Sequence, residues 1–218
     1  MERWATLDCY GTLIDWNGGI RTVLADVFGE SEADRLLHRY HEVELELEAD
    51  GQLAYREVLT RALERLADEE GVGLDDPSAL ADSLPSWQPF PEVRGSLEGV
   101  RTRGWRLAIL SNTDLDYIVA SKELIGVPFD ETVVASEIGS YKPAHRHWEE
   151  FFRRTDTDRA THVHVAASLL HDIAPANELG LRSVWINRLG ERSERAKPDR
   201  ELPDMDGLAD VLDQLVPA

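Results

Sequence analysis

The sequence predicts an α/β fold, in which a Rossmann-like parallel sheet carries helices on both faces and an all-helical cap domain is inserted after the first strand. Five short apolar segments predict the sheet, because parallel strands covered on both faces read as nearly continuous apolar runs. A stretch of roughly 70 residues with helical periodicity and no strand pattern predicts the insertion.

The five predicted strands contain no internal proline or glycine. Helical patterns such as Pro143–Arg154 and Ile173–Leu179 separate most of them, and the alternation of strand and helix favours a parallel sheet. The predicted strands are Trp4–Cys9, Trp105–Ser111, Thr132–Ser136, His162–Ser168 and Ser183–Asn187.

The predicted insertion contains three helical segments, Ile20–Phe28, Glu32–Ala49 and Leu53–Glu69. The acidic run HEVELELEAD in the second segment is interpreted as a solvated helix face. The prolines of LPSWQPFPEV cannot continue a helix, so this stretch is interpreted as the return linker. We therefore assign residues 1–15 and 89–218 to the catalytic core and residues 16–88 to the cap domain.

Composition limits the classes of function. The chain has 218 residues with 42% hydrophobic residues, which suits one domain with an insertion. Its net charge of −19 disfavours binding to nucleic acid and to anionic membranes. The single cysteine, Cys9, excludes an internal disulfide, and neither a signal-peptide pattern nor a membrane-spanning run is present. We expect a cytoplasmic protein with a small anionic substrate. The sequence leaves open whether the protein forms a homodimer.

Polar side chains follow four of the predicted strands. Ligands of open parallel sheets bind beyond the carboxyl ends of the strands, so these side chains should meet at one edge. A helix cap, a turn or a surface lysine could explain each residue alone, but the combination favours an active site. The residues are Asp8, Tyr10 and Thr12 after the first strand, Ser111 and Asn112 at the second, Lys142 after the third, and Ser168, His171 and Asp172 at the fourth.

These four segments resemble the four motifs of the haloacid dehalogenase superfamily of hydrolases, and the helical insertion resembles its cap domain. The resemblance implies that Asp8 is the nucleophile, Ser111 the second-motif hydroxyl, Lys142 the third-motif lysine and Asp172 an acid of the fourth motif. Asp8 to Thr12 read Asp-x-Tyr-Gly-Thr, which is most similar to the L-2-haloacid dehalogenase (type II) branch.

Two departures separate this chain from the Mg²⁺-dependent phosphatases of that superfamily. Those enzymes carry a general acid two residues after the nucleophile, where this chain has Tyr10, and an aspartate in the fourth motif, where it has Ala167. A phenol with a pKa near 10 is a poor acid at neutral pH. The dehalogenase branch shares both departures and uses no metal, so the resemblance implies an enzyme without a cofactor.

The resemblance implies a two-step hydrolysis of a 2-haloacid. Asp8 would displace halide from C2 and form an ester, and water would then attack the Asp8 carboxyl carbon and release a 2-hydroxy acid. We expect Lys142 to lower the pKa of Asp8 and keep it ionised, since a nearby opposite charge favours a carboxylate. Asp172 is the candidate for activating the water, and Ser111 and loop amides for holding the substrate carboxylate.

The departing halide needs a cationic or N–H cradle. Asn112 can supply an amide, and the resemblance places an arginine early in the cap, where this chain has Arg39. Arg39 could instead pair with Glu42 on its own helix, and Tyr40 or His41 could line the same pocket. The complete predicted set comprises the catalytic residues Asp8, Thr12, Lys142 and Asp172 and the substrate- or halide-binding residues Cys9, Tyr10, Arg39, Ser111, Asn112, Trp148 and His171.

Two alternatives stay open. The first is a Mg²⁺-dependent phosphatase that uses Asp8 as nucleophile on a small phosphorylated metabolite. The second is a non-catalytic binding protein that has kept the fold.

Overall fold

A six-stranded parallel sheet forms the centre of the molecule, in a computed structural model that describes residues 2–49 and 53–218. The strand order is β3-β2-β1-β4-β5-β6, and each neighbouring pair is parallel. Helices pack on both faces, so the predicted fold class is confirmed. The strands are β1 (Arg3–Leu7), β2 (Trp105–Ser111), β3 (Glu131–Val134), β4 (His162–Ala166), β5 (Arg182–Ile186) and β6 (Arg200–Leu202).

The edge strand β6 was not predicted. Its three residues, Arg-Glu-Leu, are mostly exposed and carry no apolar run, and they become a strand by pairing with β5. The predicted bounds of β2 are confirmed, whereas β1, β3, β4 and β5 end one or two residues earlier than predicted. Hydrophobicity does not show where strand pairing stops, and the residues beyond these ends enter loops or, after β3, a helix.

Helices occupy the rest of the regular structure. Those of the inserted region are α1 (Trp16–Phe28), α2 (Ala33–Glu48), α3 (Tyr55–Glu70) and α4 (Ala79–Ser83). No helix among the described residues has the length and apolar character needed to span a bilayer. The remaining α-helices are α5 (Val93–Thr102), α6 (Leu115–Ile125), α7 (Ala135–Ile138), α8 (Arg146–Thr155), α9 (Ala174–Glu178) and α10 (Leu208–Leu215).

The two segments that connect the inserted helices to the sheet run side by side. The Asp15 side chain caps α1 by accepting from the backbone N–H of Gly18 over 3.0 Å. The backbone N–H of Asp15 donates to Gln88, and that of Phe90 donates to Leu13. These bonds hold the outgoing and returning segments together next to the loop that follows β1. The exact domain division, at residues 15/16 and 88/89, stays a prediction.

Two contacts seat the inserted helices over the carboxyl edge of the sheet. The Asp114 carboxylate, in the loop after β2, accepts from the backbone N–H of Arg56 over 3.0 Å at the start of α3. The Tyr141 hydroxyl, in the loop before α8, donates to the Leu53 carbonyl over 2.9 Å. The inserted helices therefore cover the edge of the sheet where the strand-end side chains lie.

Candidate active site

A cavity of about 650 Å³ lies between the carboxyl ends of the strands and the inserted helices. The sheet side of the cavity carries most of the predicted site residues, and the helical side carries aromatic and acidic residues. The sheet-side residues include Asp8, Tyr10, Ser111, Asn112, Lys142, His171 and Asp172, and the helical side contributes Trp16, His41, Glu44, Glu48 and Tyr55.

Asp8 is held at the end of β1 by the loop that follows it. Gly11 adopts φ +87°, a left-handed conformation that suits glycine, and this turn brings Thr12 back toward Asp8. The Thr12 hydroxyl donates to Asp8 Oδ2 over 2.7 Å and accepts from the Ala167 backbone N–H over 2.9 Å. Thr12 does not line the cavity, and its contact is with the carboxylate itself. The loop thus fixes the orientation of Asp8.

Lys142 joins the two buried carboxylates. Its Nζ donates to Asp8 Oδ1 over 2.9 Å, to Asp172 Oδ1 over 2.7 Å and to the Leu110 carbonyl over 2.9 Å. An ammonium has three hydrogens, and these three contacts use all of them. The Lys142 backbone is held in turn by Asn112, which donates from Nδ2 to its carbonyl and accepts its N–H at Oδ1.

The charge of Lys142 is shared unequally between the two carboxylates. Burial favours the protonated form of Asp172, but Lys142 and a hydrogen bond from His164 hold the pKa of Asp172 well below its usual range. Burial raises the pKa of Asp8, which Lys142 and Thr12 offset only in part, while the Asp172 charge raises it further. Lys142 therefore lowers the pKa of Asp8 as expected, but burial, joined by the Asp172 charge, outweighs it, and the net pKa of Asp8 is raised.

A buried polar chain, not predicted from the sequence, supports Asp172 from inside the sheet. His164 Nε2 lies 3.0 Å from Asp172 Oδ1, and His164 Nδ1 lies 2.8 Å from the Thr6 hydroxyl. That hydroxyl is also 2.8 Å from His162 Nε2. The alternating histidines of HVHVA could have predicted this chain, because residues two apart in a strand lie on the same face of the sheet.

Three further predicted residues line the cavity, and the protein binds the Tyr10 hydroxyl and a backbone group of both Ser111 and His171. The Tyr10 hydroxyl lies 2.9 Å from the Ser121 hydroxyl of α6, and burial raises the pKa of Tyr10 well above its usual value. Ser111 is buried, and its carbonyl accepts from His147 Nε2 over 3.0 Å. The His171 backbone donates to Ser168 Oγ, and burial lowers the pKa of His171, which favours a neutral ring.

Arg39 lies outside the cavity, which corrects its expected placement. Its guanidinium binds Glu69 of α3 through Nε and Nη2, at 2.9 and 2.8 Å, and Glu42 through Nη1 at 2.7 Å. Leu36, Tyr40 and Val43 form the buried face of α2, so Arg39 points to the other side of the helix. The alternative pairing with Glu42 is the one that the structure contains.

Cys9 and Trp148 are also placed away from the cavity. The Cys9 side chain is fully buried in the main core. Its backbone carbonyl accepts hydrogen bonds from the backbone N–H groups of Leu13 and Ile14 in the loop. Trp148 is fully buried on α8 and packs edge-to-face against His164, with ring centroids 5.1 Å apart. Their expected contact with a substrate is therefore corrected to a packing contact.

Arg188 is a cavity residue that the sequence analysis missed. Its guanidinium lies 3.6 Å above the Phe90 ring, and its Nη2 donates to the Thr12 carbonyl at 2.8 Å and pairs with Glu92 at 2.7 Å. Within residues 2–49 and 53–218, its Nε has no hydrogen-bond partner. Arg188 follows the end of β5, so the strand-end rule would have found it had it been applied to the fifth strand.

Two carboxylates that could meet a Mg²⁺ ion, Asp8 and Asp172, line the cavity. Among the described residues, no group of three or more His, Cys, Asp or Glu side chains is arranged to hold a metal ion. Both carboxylates pair with the Lys142 ammonium, and Ala167 adds no third one. Mg²⁺ is usually bound by one or two carboxylates together with waters and substrate phosphates, so activity without a metal stays a prediction.

Comparisons with known proteins agree on one family. A family model described as haloacid dehalogenase-like hydrolase matches residues 3–180. Haloacetate dehalogenase H-2 of Moraxella sp. (strain B) is 28% identical and is matched over 94% of this chain and 95% of its own length. (S)-2-haloacid dehalogenase 1 of Pseudomonas sp. (strain CBS-3) is 27% identical and is matched over 88% of this chain and 87% of its own length. Among solved structures, L-2-haloacid dehalogenase from Xanthobacter autotrophicus with chloropropionic acid covalently bound shares the fold, with a TM-score of 0.85. The two sequences are 18% identical, and the match covers 97% of this chain and 98% of the other.

Proposed function

This chain belongs to the haloacid dehalogenase-like hydrolase family, and on that premise we propose that it hydrolyses small 2-haloacids to 2-hydroxy acids through an ester on Asp8. Two relatives of nearly the same length are dehalogenases of haloacetate and of (S)-2-haloacids, which supports this substrate class. The observation that carries the proposal is the single oriented carboxylate, Asp8, held at the cavity by Thr12 and Lys142.

In the first step, an Asp8 carboxylate oxygen attacks C2 of the haloacid. The new C–O bond forms as the carbon–halogen bond breaks, and the halide leaves with the bonding electron pair. The raised pKa of Asp8 makes the ionised carboxylate a stronger nucleophile than an ordinary aspartate. Thr12 and Lys142 orient it for attack and so lower the entropic cost of the step.

In the second step, water attacks the Asp8 carboxyl carbon and releases the hydroxy acid. Asp172 has a low proton affinity because Lys142 and His164 both stabilise its charge, which makes it a poor base. We therefore propose that Asp172 holds Lys142 in position. His171 lines the same cavity, and burial lowers its pKa while the Asp172 charge opposes that shift. Its neutral ring is the base that accepts one proton of the attacking water. The other water proton passes to the departing alkoxide to give the hydroxy acid, and the proton on His171 goes to solvent as Asp8 is left ionised.

The substrate carboxylate needs a cation that is not already shared by two carboxylates. Arg188 is the arginine that lines the cavity, and its contact with the Thr12 carbonyl places it beside the nucleophile loop. We assign Arg188, with Ser111 across the cavity, to the substrate carboxylate. A planar guanidinium matches the geometry of a carboxylate.

A single turnover in heavy-oxygen water tests the covalent route. With enzyme in excess over chloroacetate, we expect mostly unlabelled glycolate, because the first product oxygen comes from Asp8. After several turnovers, mass spectrometry of the peptide containing LDCYGT should show label at Asp8. Solvent label in the first product, with Asp8 unlabelled, would show direct attack by water.

The phosphatase alternative is tested in the same preparation. Halide release should persist in excess EDTA and gain little from added Mg²⁺. Phosphate release from a panel of phosphorylated metabolites, lost on chelation and restored by Mg²⁺, together with no halide release, would identify a phosphatase instead. The absence of both activities would favour a binding protein.

A further inference from the structure

Two glutamates of α2 face the cavity without a place in the steps above. Glu44 and Glu48 are one helical turn apart, so their side chains lie on the same face of α2. Both line the cavity opposite Asp8 and Lys142. An anionic substrate would be repelled by two carboxylates at this position, so their protonation state decides what the cavity can hold.

The hydrogen bonds of Glu44 leave one of its oxygens for a proton. The hydroxyls of Tyr40 and Tyr55 both donate to Glu44 Oε1, over 2.9 and 2.8 Å. Tyr55 receives a hydrogen bond from Trp16 Nε1 over 3.1 Å, so its own hydrogen is available for Glu44. An acid proton on Glu44 therefore belongs on Oε2.

Glu48 stands nearer to the catalytic lysine. The Lys142 charge acts on Glu48, and the Asn112 amide, which also lines the cavity, bridges both backbone polar groups of Lys142. The titratable groups around Glu48 are Glu44 on its own helix and Lys142 on the sheet side, with Tyr141 close enough to respond to the Glu48 charge. Glu48 therefore shares the cavity with the loop that carries the Lys142 ammonium.

The pair retains a proton at neutral pH. Burial raises the pKa of Glu44 to about 7, although its two tyrosine hydrogen bonds oppose the shift. Burial and the neighbouring Glu44 charge raise the pKa of Glu48 to about 9, against the opposing effects of Lys142 and Asn112. Glu48 is then a neutral carboxylic acid, which donates a hydrogen bond without adding negative charge to the cavity.

We propose that the Glu48 carboxyl donates a hydrogen bond to the departing halide and thereby suits the site to fluoride as a leaving group. The inference rests on the proposed dehalogenation. Arg39, the expected halide cradle, is on the outer surface in ion pairs with Glu42 and Glu69. Among the halides, fluoride is the poorest leaving group and the strongest hydrogen-bond acceptor, so a donor matters most for it.

The step balances without proton transfer. The Asp8–C2 bond forms, the C2–F bond breaks, and fluoride leaves with the electron pair while it accepts the Glu48 O–H hydrogen bond. Hydrogen fluoride is a stronger acid than Glu48, so the proton stays on the glutamate. Glu48 therefore acts again in the next turnover without needing to be reprotonated.

The test compares fluoride release from fluoroacetate with bromide release from bromoacetate. Removal of one transition-state donor typically lowers the rate about 10²-fold. We expect Glu48→Ala to lower kcat on fluoroacetate by about that factor and on bromoacetate much less. Glu48→Gln keeps an N–H donor and should retain most of the fluoride activity. Glu46→Gln is the matched control, because Glu46 is on the outer surface of α2 in an ion pair with Arg65.

The pH profile on fluoroacetate separates donation from a structural role. Wild-type kcat should fall at alkaline pH as Glu48 loses its proton, and Glu48→Gln should abolish that fall. Glu44→Gln removes the charge that raises the pKa of Glu48, so the alkaline fall should move to lower pH. Equal losses on both substrates in Glu48→Ala, or an unmoved alkaline limb in Glu44→Gln, would overturn the inference. A wild-type enzyme that released no bromide would instead refute the proposed function.

Discussion

His164 donates from Nε2 to Oδ1 of Asp172 over 3.0 Å, and both side chains are buried. A carboxylate only accepts hydrogen bonds, so this contact places the ring hydrogen on Nε2 and leaves Nδ1 as an acceptor. The Thr6 hydroxyl then donates to Nδ1 and accepts from His162 Nε2. One chain of donors therefore runs from His162 to Asp172, and it sets the orientation of a carboxylate that lines the cavity from within the sheet.

Thr6→Val should destabilise the protein without touching the cavity. It leaves one nitrogen on each of His162 and His164 buried without a partner, and an unsatisfied buried polar group costs about 1–3 kcal/mol. Urea unfolding should show a loss of about that size. Thr102→Val, at an exposed helix position, is the control and should change the unfolding free energy little. Equal stability of the two variants would show that the chain carries no net stabilisation.

Asp172→Asn should move the acid limb of the first chemical step to lower pH. The Asp172 charge raises the pKa of Asp8, and its removal also leaves the Lys142 ammonium to Asp8 alone. Both effects lower the pKa of Asp8, so more of it is ionised in acid. The halide burst in a single turnover measures this step without requiring ester hydrolysis. An unmoved or upward-shifted limb would contradict the charge sharing described above.

Arg188→Met and Arg39→Met form a matched pair for the anion-binding assignment. Arg188 lines the cavity, and loss of a hydrogen bond to a charged group is worth about 1.5–3 kcal/mol, so KM for chloroacetate should rise about 10- to 100-fold. Arg39 binds surface glutamates, so its variant should show nearly normal kcat and KM. The reverse result would return the arginine role to Arg39. Circular dichroism of both variants controls for folding.

The free energy of unfolding should fall as pH rises from 7 to 9. Glu44 and Glu48 have pKa values of about 7 and about 9 when folded, above their ordinary value of 4.5, so the folded state binds more protons in this window. The buried histidines oppose this trend below about pH 7.5, because burial lowers the pKa of His41 to about 4 and that of His147 to about 3 while the unfolded side chains titrate near 6.5, so the slope between pH 8 and 9 is the one to measure. Glu48→Gln should flatten the slope in urea unfolding, whereas Glu46→Gln should keep it.

Sequence patterns predicted the sheet and its chemistry because both depend on local order along the chain. Apolar runs separated by helical patterns indicate a parallel sheet, and parallel strands bring their carboxyl ends to one edge. Asp8, Lys142 and Asp172 were therefore expected together, and their side chains are within hydrogen-bonding distance of one another through Lys142. Their catalytic roles stay predictions until the labelling experiment is done. The strand β6 was missed because its pairing with β5, rather than its own residues, makes it a strand.

The tertiary structure alone decided which face of α2 meets the cavity. Helical periodicity separates Arg39 from Glu44 and Glu48, but it does not say which group turns toward the sheet, because that depends on how the inserted helices are seated by contacts such as Asp114 with Arg56. The sequence led us to expect a lowered pKa for Asp8, because it shows that a lysine is near. Only the folded arrangement shows that Asp8 is buried and that Asp172 shares the Lys142 charge, which together raise that pKa.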